Sequence, residues 1–180
     1  VETTTPLFTP EQCQMVIDCG RRQKPQKAQI GMGRPGGGLD TKKRVTTISW
    51  IPFEEMKSMY DQINNFIQKA NLNHFGFGDI QITEQAQFTE YPEGGFYDWH
   101  MDCDVNMAHE PPVRKISMTV LLSPENQFEG GDLEVMAPGK KAKLKQGHAL
   151  MFASFLNHRV APVTRGVRQS LVMWFGGTPF

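Results

Sequence analysis

Within the stretch YPEGGFYDWHMDCD, Tyr91 to Asp104, two carboxylates and an imidazole fall inside five positions, at Asp98, His100 and Asp102. If Tyr97 to Cys103 is extended, side chains alternate between faces, so His100 and Asp102 share one face while Trp99 and Met101 take the other. One imidazole and one carboxylate on a common face can bind one metal ion. A third ligand must come from elsewhere in the chain. His158 stands in LNHRVAPVTRGVRQSLVMWF, which reads as a short strand, a turn and a longer strand. A hairpin closed around PVTRG would set His158 nearly opposite Gln169 and make Arg168 its close neighbour. His109, in CDVNMAHEPP, is the rival third ligand, although no strand orients it, and His74 and His148 read as hydrogen-bonded structural histidines.

Two imidazoles and one carboxylate on one face of a metal leave other positions open. That donor set suits a non-haem Fe(II) oxygenase, and a catalytic zinc is the chemical alternative. The arginine separates them, because a keto-acid cosubstrate needs a forked donor for its distal carboxylate, whereas a zinc hydrolase needs a general base. The nearest candidate base, Glu93, sits in a glycine turn.

The elements that must carry these residues fit in one ordinary domain, since 180 residues can bury a substantial core but are short for two. Nineteen basic residues balance nineteen acidic ones, so bulk charge points to no polyanionic partner, and nucleic acid is disfavoured. No apolar run is long enough for a membrane span, and VETTTPLF is not a secretory signal, although a chain opening on Val1 is open to an earlier cleavage. Cys13, Cys19 and Cys103 are odd in number and lack zinc-pair spacing, which argues for reduced thiols and a cytoplasmic location.

FTPEQCQMVIDCG reads as a helix with Thr9 as cap, Gln12 completing a capping box, Pro10 in the first turn and Gly20 as its stop. Arg21 to Arg44 follows with eight basic residues, one Asp, five glycines and two prolines, the composition of a cationic loop. RVTTISW has β character. Met56, Met59, Tyr60, Ile63, Phe66, Ile67 and Ala70 then mark an amphipathic helix ending near Asn71, whose stripe reads as core packing. Beyond Phe75 the spacing predicts short strands over 79–91, 97–103, 114–122, 132–136, 141–145, 148–153, 158–161 and 167–175. The expectation is a mainly β protein with flanking helices: helical support over about 9–70 and a catalytic β-barrel core over about 79–176.

With those motifs in view, the sequence resembles the Fe(II)/2-oxoglutarate dioxygenases of the prolyl 4-hydroxylase type, in particular the PKHD-type hydroxylases. The resemblance runs from FTPEQC to LVMWF and rests on YPEGGFYDWHMD, RKISMTVLLS, FEGGDLEV and HRVAPVTRGVR. It implies a double-stranded β-helix, a jelly-roll or cupin-like barrel, with His100, Asp102 and His158 as the metal ligands and catalytic centre. It further implies that Arg168 binds the C5 carboxylate of 2-oxoglutarate, that Tyr91 lines the cosubstrate pocket, that O2 is the second cosubstrate, and that ascorbate serves as reductant. Asp102 matters for outcome, since relatives that halogenate lack this carboxylate. Two departures stand out: SMTVLL carries no cosubstrate-binding tyrosine, which leaves Thr119 or Leu121 at that end of the pocket, and His148 replaces the acidic residue that usually follows the KxG turn.

The expected reaction is hydroxylation of an unactivated C–H bond with decarboxylation of 2-oxoglutarate to succinate, on a proline of a polypeptide. Hydroxylation of a free amino acid or small metabolite, AlkB-like demethylation of nucleic acid and a non-enzymatic binding barrel are the other readings. Against the AlkB-like one, QSLVMWF brings no second arginine. The segment from Pro25 to Lys43 is the expected clamp for a peptide, with Tyr97 and Trp99 as candidates to border a proline ring.

Overall fold

The protein is described by a computed structural model covering residues 1–27, 42–103 and 112–179. The cationic segment 28–41, which includes most of the expected clamp, and His109 within 104–111 lie outside the described residues.

Helix α1, Pro10–Arg22, starts as its residues dictate. Thr9 Oγ1 accepts the Gln12 N–H at 3.2 Å and Gln12 Oε1 accepts the Thr9 N–H at 2.9 Å, the reciprocal capping box. It does not stop at Gly20. The glycine serves a close approach instead, since a Cβ there would sit 2.4 Å from the Phe88 ring.

Two short strands and a longer one follow: β1 (Gln26–Lys27), β2 (Arg44–Val45) and β3 (Thr47–Ile51). Helix α2, Lys57–Ala70, buries Met59, Tyr60, Ile63, Ile67 and Ala70 and runs into one π-helical turn that ends at Gly76, φ 70°. The remaining strands are β4 (Gln81–Ile82), β5 (Ala86–Tyr91), β6 (Phe96–His100), β7 (Val113–Leu121), β8 (Phe128–Gly130) and β9 (Leu133–Val135). They are completed by β10 (Ala149–Ala153), β11 (His158–Val160), β12 (Val163–Gly166) and β13 (Arg168–Gly177).

These build a seven-stranded sheet in the order β1-β3-β5-β13-β7-β10, with β4 also on β13, and a four-stranded sheet in the order β2-β6-β11-β9. Strands β12 and β8 form a separate pair. The architecture is the expected double-stranded β-helix with flanking helices. Strands β2 and β3 come from the stretch read as helical support, one in each sheet.

Alternate residues of the large sheet face opposite ways. Phe88, Ile116, Met118, Val120, Leu171, Met173 and Phe175 join the residues of α1 and α2 in the main core cluster. The other face looks toward the small sheet, where Tyr91, Leu133, Leu150, Phe152, Val160 and Val163 form a second, smaller cluster.

Two further expectations fail here. The segment 141–145 is not a strand, because exposed Lys141, Lys143 and Lys145 leave the chain with a single bridge, Glu134 to Lys141. The hairpin of His158 with Arg168 does not form either. Strand β11 pairs with β6 and β9, β13 pairs with β5 and β7, and the intervening β12 pairs with β8. At Gly166, φ 73°, the chain crosses between sheets, and a Cβ would meet Gln127 O at 2.1 Å.

Candidate active site

Strand β6 ends at His100, so alternation along an extended 97–103 is not what brings Asp102 to its neighbour. Two backbone bonds do: the N–H groups of Asp102 and Cys103 both donate to Ser154 O, at 2.9 and 3.0 Å, and turn the chain after the strand. Within β6 there is a bulge. His100 stands opposite His158, but Tyr97 stands opposite Val160, so two residues on β6, Asp98 and Trp99, answer one on β11, Arg159. The extra residue puts Tyr97 on the face of His100, where their rings stack with centroids 3.5 Å apart and planes 11° apart. Trp99 therefore lies away from the site, and its ring holds the Arg159 guanidinium at 5.2 Å.

Across β6 and β11, His100 and His158 are direct partners with ring centroids 4.1 Å apart. The candidate ligand atoms of His100, Asp102 and His158 all lie within 4.8 Å of one another. Each imidazole is oriented from behind: His100 Nδ1 is 2.8 Å from Asp98 O and His158 Nδ1 is 3.0 Å from Leu156 O. A carbonyl only accepts, so Nδ1 carries the proton in both rings and Nε2 keeps its lone pair. The two Nε2 atoms face Asp102 at 3.6 and 3.5 Å. Two imidazole nitrogens and one carboxylate oxygen converge on one point, a donor set that suits a divalent cation such as Fe(II).

The electrostatics agree. Burial, with the adjacent His158, pushes the His100 pKa down to about 3, which keeps its lone pair available at neutral pH. Burial acts the other way on Asp102, but the two histidines, Ser117 and Trp174 outweigh it and hold the carboxyl below its ordinary range. Ser117 Oγ donates to Asp102 Oδ2 at 2.6 Å and lies 3.0 Å from Ser154 Oγ.

Arg168 opens β13 directly across from Tyr91 on β5 and is 2% exposed. Its guanidinium lies 5.7 Å from the centre of the Tyr91 ring, and Nη1 donates to Ser170 Oγ at 3.0 Å. It shares its face of β13 with Ser170, Val172 and Trp174, and Trp174 pairs with Ser117. The arginine and the triad thus belong to one interior, joined through the large sheet and not through the expected hairpin. Thr119 and Leu121 lie on this same face of β7. His148 is structural, with Nδ1 at 3.0 Å from Thr3 O, whereas His74 is exposed on the π turn.

Sequence reasoning missed Arg44, Gln87, Ser117, Ser154 and Trp174. Arg44 is buried, stacks 4.2 Å over the Tyr97 ring and donates through Nη2 to Gln87 Oε1 at 3.1 Å, while its Nε has no partner. The signal was present as polar residues at every second position of otherwise apolar strands: Gln87, Thr89 and Tyr91, then Ser117 and Thr119, then Arg168 and Ser170.

A sequence profile described as the 2OG-Fe(II) oxygenase superfamily matches residues 86–176. A PKHD-type hydroxylase of Colwellia psychrerythraea is 31% identical over 155 residues, 83% of this chain and 68% of that protein. PKHD-type relatives from Alteromonas mediterranea, Acidovorax ebreus and Idiomarina loihiensis are 34, 36 and 40% identical, and the matched stretch spans 41% of each. Among solved structures, the viral collagen prolyl hydroxylase of Paramecium Bursaria Chlorella virus-1, in its 2OG complex, superposes with a TM-score of 0.76 at 19% identity. That match covers 99% of this chain and 96% of the viral one. A Trichoplax adhaerens prolyl hydroxylase, solved with a hypoxia inducible factor peptide fragment, gives 0.72 at 19% identity, with 98% and 82% covered.

Proposed function

The chain belongs to the 2OG-Fe(II) oxygenase superfamily, within the PKHD-type hydroxylases, and from that premise we propose that it hydroxylates proline in a polypeptide substrate. As a 2-oxoglutarate-dependent oxygenase it uses Fe(II), 2-oxoglutarate and O2. Fe(II) with 2-oxoglutarate, when bound, supplies the oxidant that couples decarboxylation of 2-oxoglutarate to hydroxylation of a C–H bond.

The rest is the work of this chain. His100 and His158 each present Nε2 to the metal, and Asp102 presents one carboxylate oxygen. Arg168 takes the C5 carboxylate of 2-oxoglutarate in a charge-assisted pair, with the Tyr91 ring against it, and burial of the guanidinium excludes competing water. Tyr97, flat against His100, borders the substrate ring. Arg44 offers its unpaired Nε–H to a substrate oxygen. Ascorbate is the proposed reductant. Residues 1–180 act as one catalytic domain, and the odd number of cysteines, Cys13, Cys19 and Cys103, suits a reducing, cytoplasmic location. Among the described residues no helix is long and apolar enough to cross a membrane.

The observation that carries this reading is the convergence of a His-Asp-His donor set and a buried arginine on one barrel interior. Support for a peptide comes from the prolyl hydroxylases that share the fold, one of them solved with a peptide fragment. The test offers the iron-loaded protein 2-oxoglutarate with proline-containing peptides, free proline and methylated DNA, and measures succinate and the mass of each product. A gain of one oxygen on peptide proline is expected. Equal hydroxylation of free proline would assign a small-molecule hydroxylase instead, and demethylation of the DNA an AlkB-like one. Shortening Gly31 to Gly38 should slow peptide turnover if the segment from Pro25 to Lys43 is the clamp.

A further inference from the structure

Among the described residues three side-chain polar atoms are fully buried with no hydrogen-bond partner: Arg44 Nε, Thr83 Oγ1 and Trp174 Nε1. The indole N–H is the unusual one. An N–H of tryptophan can only donate, and leaving it unpaired in the interior costs free energy that a core apolar residue would not. Trp174 is 6% exposed on the interior face of β13, directly across from Ser117 of β7. Ser117 already donates to Asp102 Oδ2 at 2.6 Å. Neighbouring positions on two paired strands therefore hold two donors, and one of them is on the candidate ligand carboxylate.

The ring itself has little freedom. The Arg114 guanidinium lies 3.8 Å from the centre of the indole, Arg114 is held by a two-pronged pair with Glu84 at 2.7 Å and 2.7 Å, and Trp50 packs at 6.3 Å between centroids. Such a clamp sets the direction of Nε1–H independently of any hydrogen bond it makes.

We propose that Trp174 is a positioning residue for the metal centre, whose indole N–H, with the Ser117 hydroxyl, caps the carboxylate of Asp102 and holds it to one-oxygen coordination. The proposal rests on the reading of His100, Asp102 and His158 as a metal site. A carboxylate can bind a metal through one oxygen or two. Donors placed on the non-coordinating oxygen favour the first mode, which leaves a coordination position for an incoming ligand. The Ser117 hydroxyl already makes its bond to the carboxylate, whereas the indole N–H on the paired residue has a bond still to make. Metal binding draws the carboxylate into the position where that bond closes.

The experiment uses the full chain and Zn(II) as a diamagnetic probe. The indole N–H resonances of Trp50, Trp99 and Trp174, assigned with single Phe variants, are followed while Zn(II) is added. The Trp174 proton should move downfield and exchange with water more slowly, while that of Trp99 stays put. Trp174→Phe keeps an aromatic ring and removes the donor, and should weaken Zn(II) and Fe(II) about tenfold or more in chelator competition, with Ser117→Ala giving a loss of the same order. A Trp174 resonance unmoved by bound Zn(II), or a folded Trp174→Phe protein with wild-type metal affinity, overturns the proposal. If the Phe variant does not fold, the resonance of the native protein decides. Failure of the wild type to bind Zn(II) or Fe(II) at all would overturn the metal-site reading beneath it, an outcome distinct from binding with a silent indole.

Discussion

The two faces of the seven-stranded sheet are both largely buried and chemically different. On β7, Ile116, Met118 and Val120 face the helices, while Ser117 and Thr119 between them face the barrel; on β13, Leu171, Met173 and Phe175 alternate with Ser170, Val172 and Trp174. Buried polar groups cost free energy unless they are paired. Those of the barrel face are paired with one another, as in Thr89 with Ser170 at 2.6 Å and Arg44 with Gln87, or are aimed at the candidate site. One face of the same strands holds the fold together, and the other holds chemistry. The consequence is that substitutions should sort by parity, not by burial.

The sharpest separation is expected from His158→Ala. It removes one of the two imidazoles facing Asp102, so metal content and succinate formation should both fall below detection while the melting temperature stays near that of the wild-type apoprotein. A variant that keeps its metal would place the third ligand elsewhere, with His109 the first to examine.

On the opposite face, Met118→Ala, next in sequence to Ser117, should cost about 2 to 5 kcal/mol in stability, because a fully buried methionine leaves a cavity among Ile116, Met173 and the helices. The requirement for 2-oxoglutarate in the folded fraction should not change. Denaturant unfolding beside cosubstrate titration tests both halves. A shifted cosubstrate requirement would mean that the faces are mechanically coupled and the parity rule fails.

How far the two faces could be read from the sequence differs as well. The helix-facing side was legible because apolar periodicity and the Thr9–Gln12 capping box are local signals. The candidate His-Asp-His cluster was visible as motif spacing. What could not be read was which strands pair. His158 and Arg168 looked like hairpin partners because ten residues separate them, yet Gly166 and β12 divert the chain between sheets. The bulge in β6 could not be read either: it turns Tyr97 onto the face of His100, so of the two aromatic residues expected to border a proline ring only Tyr97 lies against the candidate site. Ser117 and Ser154 bond Asp102, and Trp174 pairs with Ser117, from positions far apart in sequence.

Arg168 tests the barrel face away from the metal. Arg168→Ala should raise the 2-oxoglutarate requirement about ten- to a hundredfold, the equivalent of a charged hydrogen bond of about 1.5 to 3 kcal/mol. Arg168→Lys should recover only part of it, because an ammonium cannot present the paired donors of a guanidinium. Metal affinity should hold in both variants. An unchanged cosubstrate requirement in Arg168→Ala would assign the carboxylate to another cation, and Arg44 is the buried alternative on the same interior.

The smallest effect probes a polar exception on the helix-facing side. Tyr60 belongs to the core cluster, yet its hydroxyl donates to Ile51 O at 2.6 Å and accepts the Ala86 N–H at 2.8 Å, tying α2 to the ends of β3 and β5. Both partners are backbone groups, so this hydroxyl is structural, unlike that of Ser117, which donates to Asp102. Tyr60→Phe should cost about 1 to 3 kcal/mol with no effect on metal or cosubstrate binding. Its pH dependence identifies the cause. Burial pushes the Tyr60 pKa up to about 12, so the folded state keeps a proton that the unfolded chain releases near pH 10. The contribution is therefore complete below pH 10 and is lost as pH rises through 12. Cys13, pushed by burial to about 11, adds a similar alkaline loss, but equally in both proteins. The stability gap between wild type and Tyr60→Phe should accordingly be constant from pH 7 to 9 and narrow between 10 and 12. A gap that persists undiminished at pH 12 would mean that the ring, and not the hydroxyl, makes the contribution.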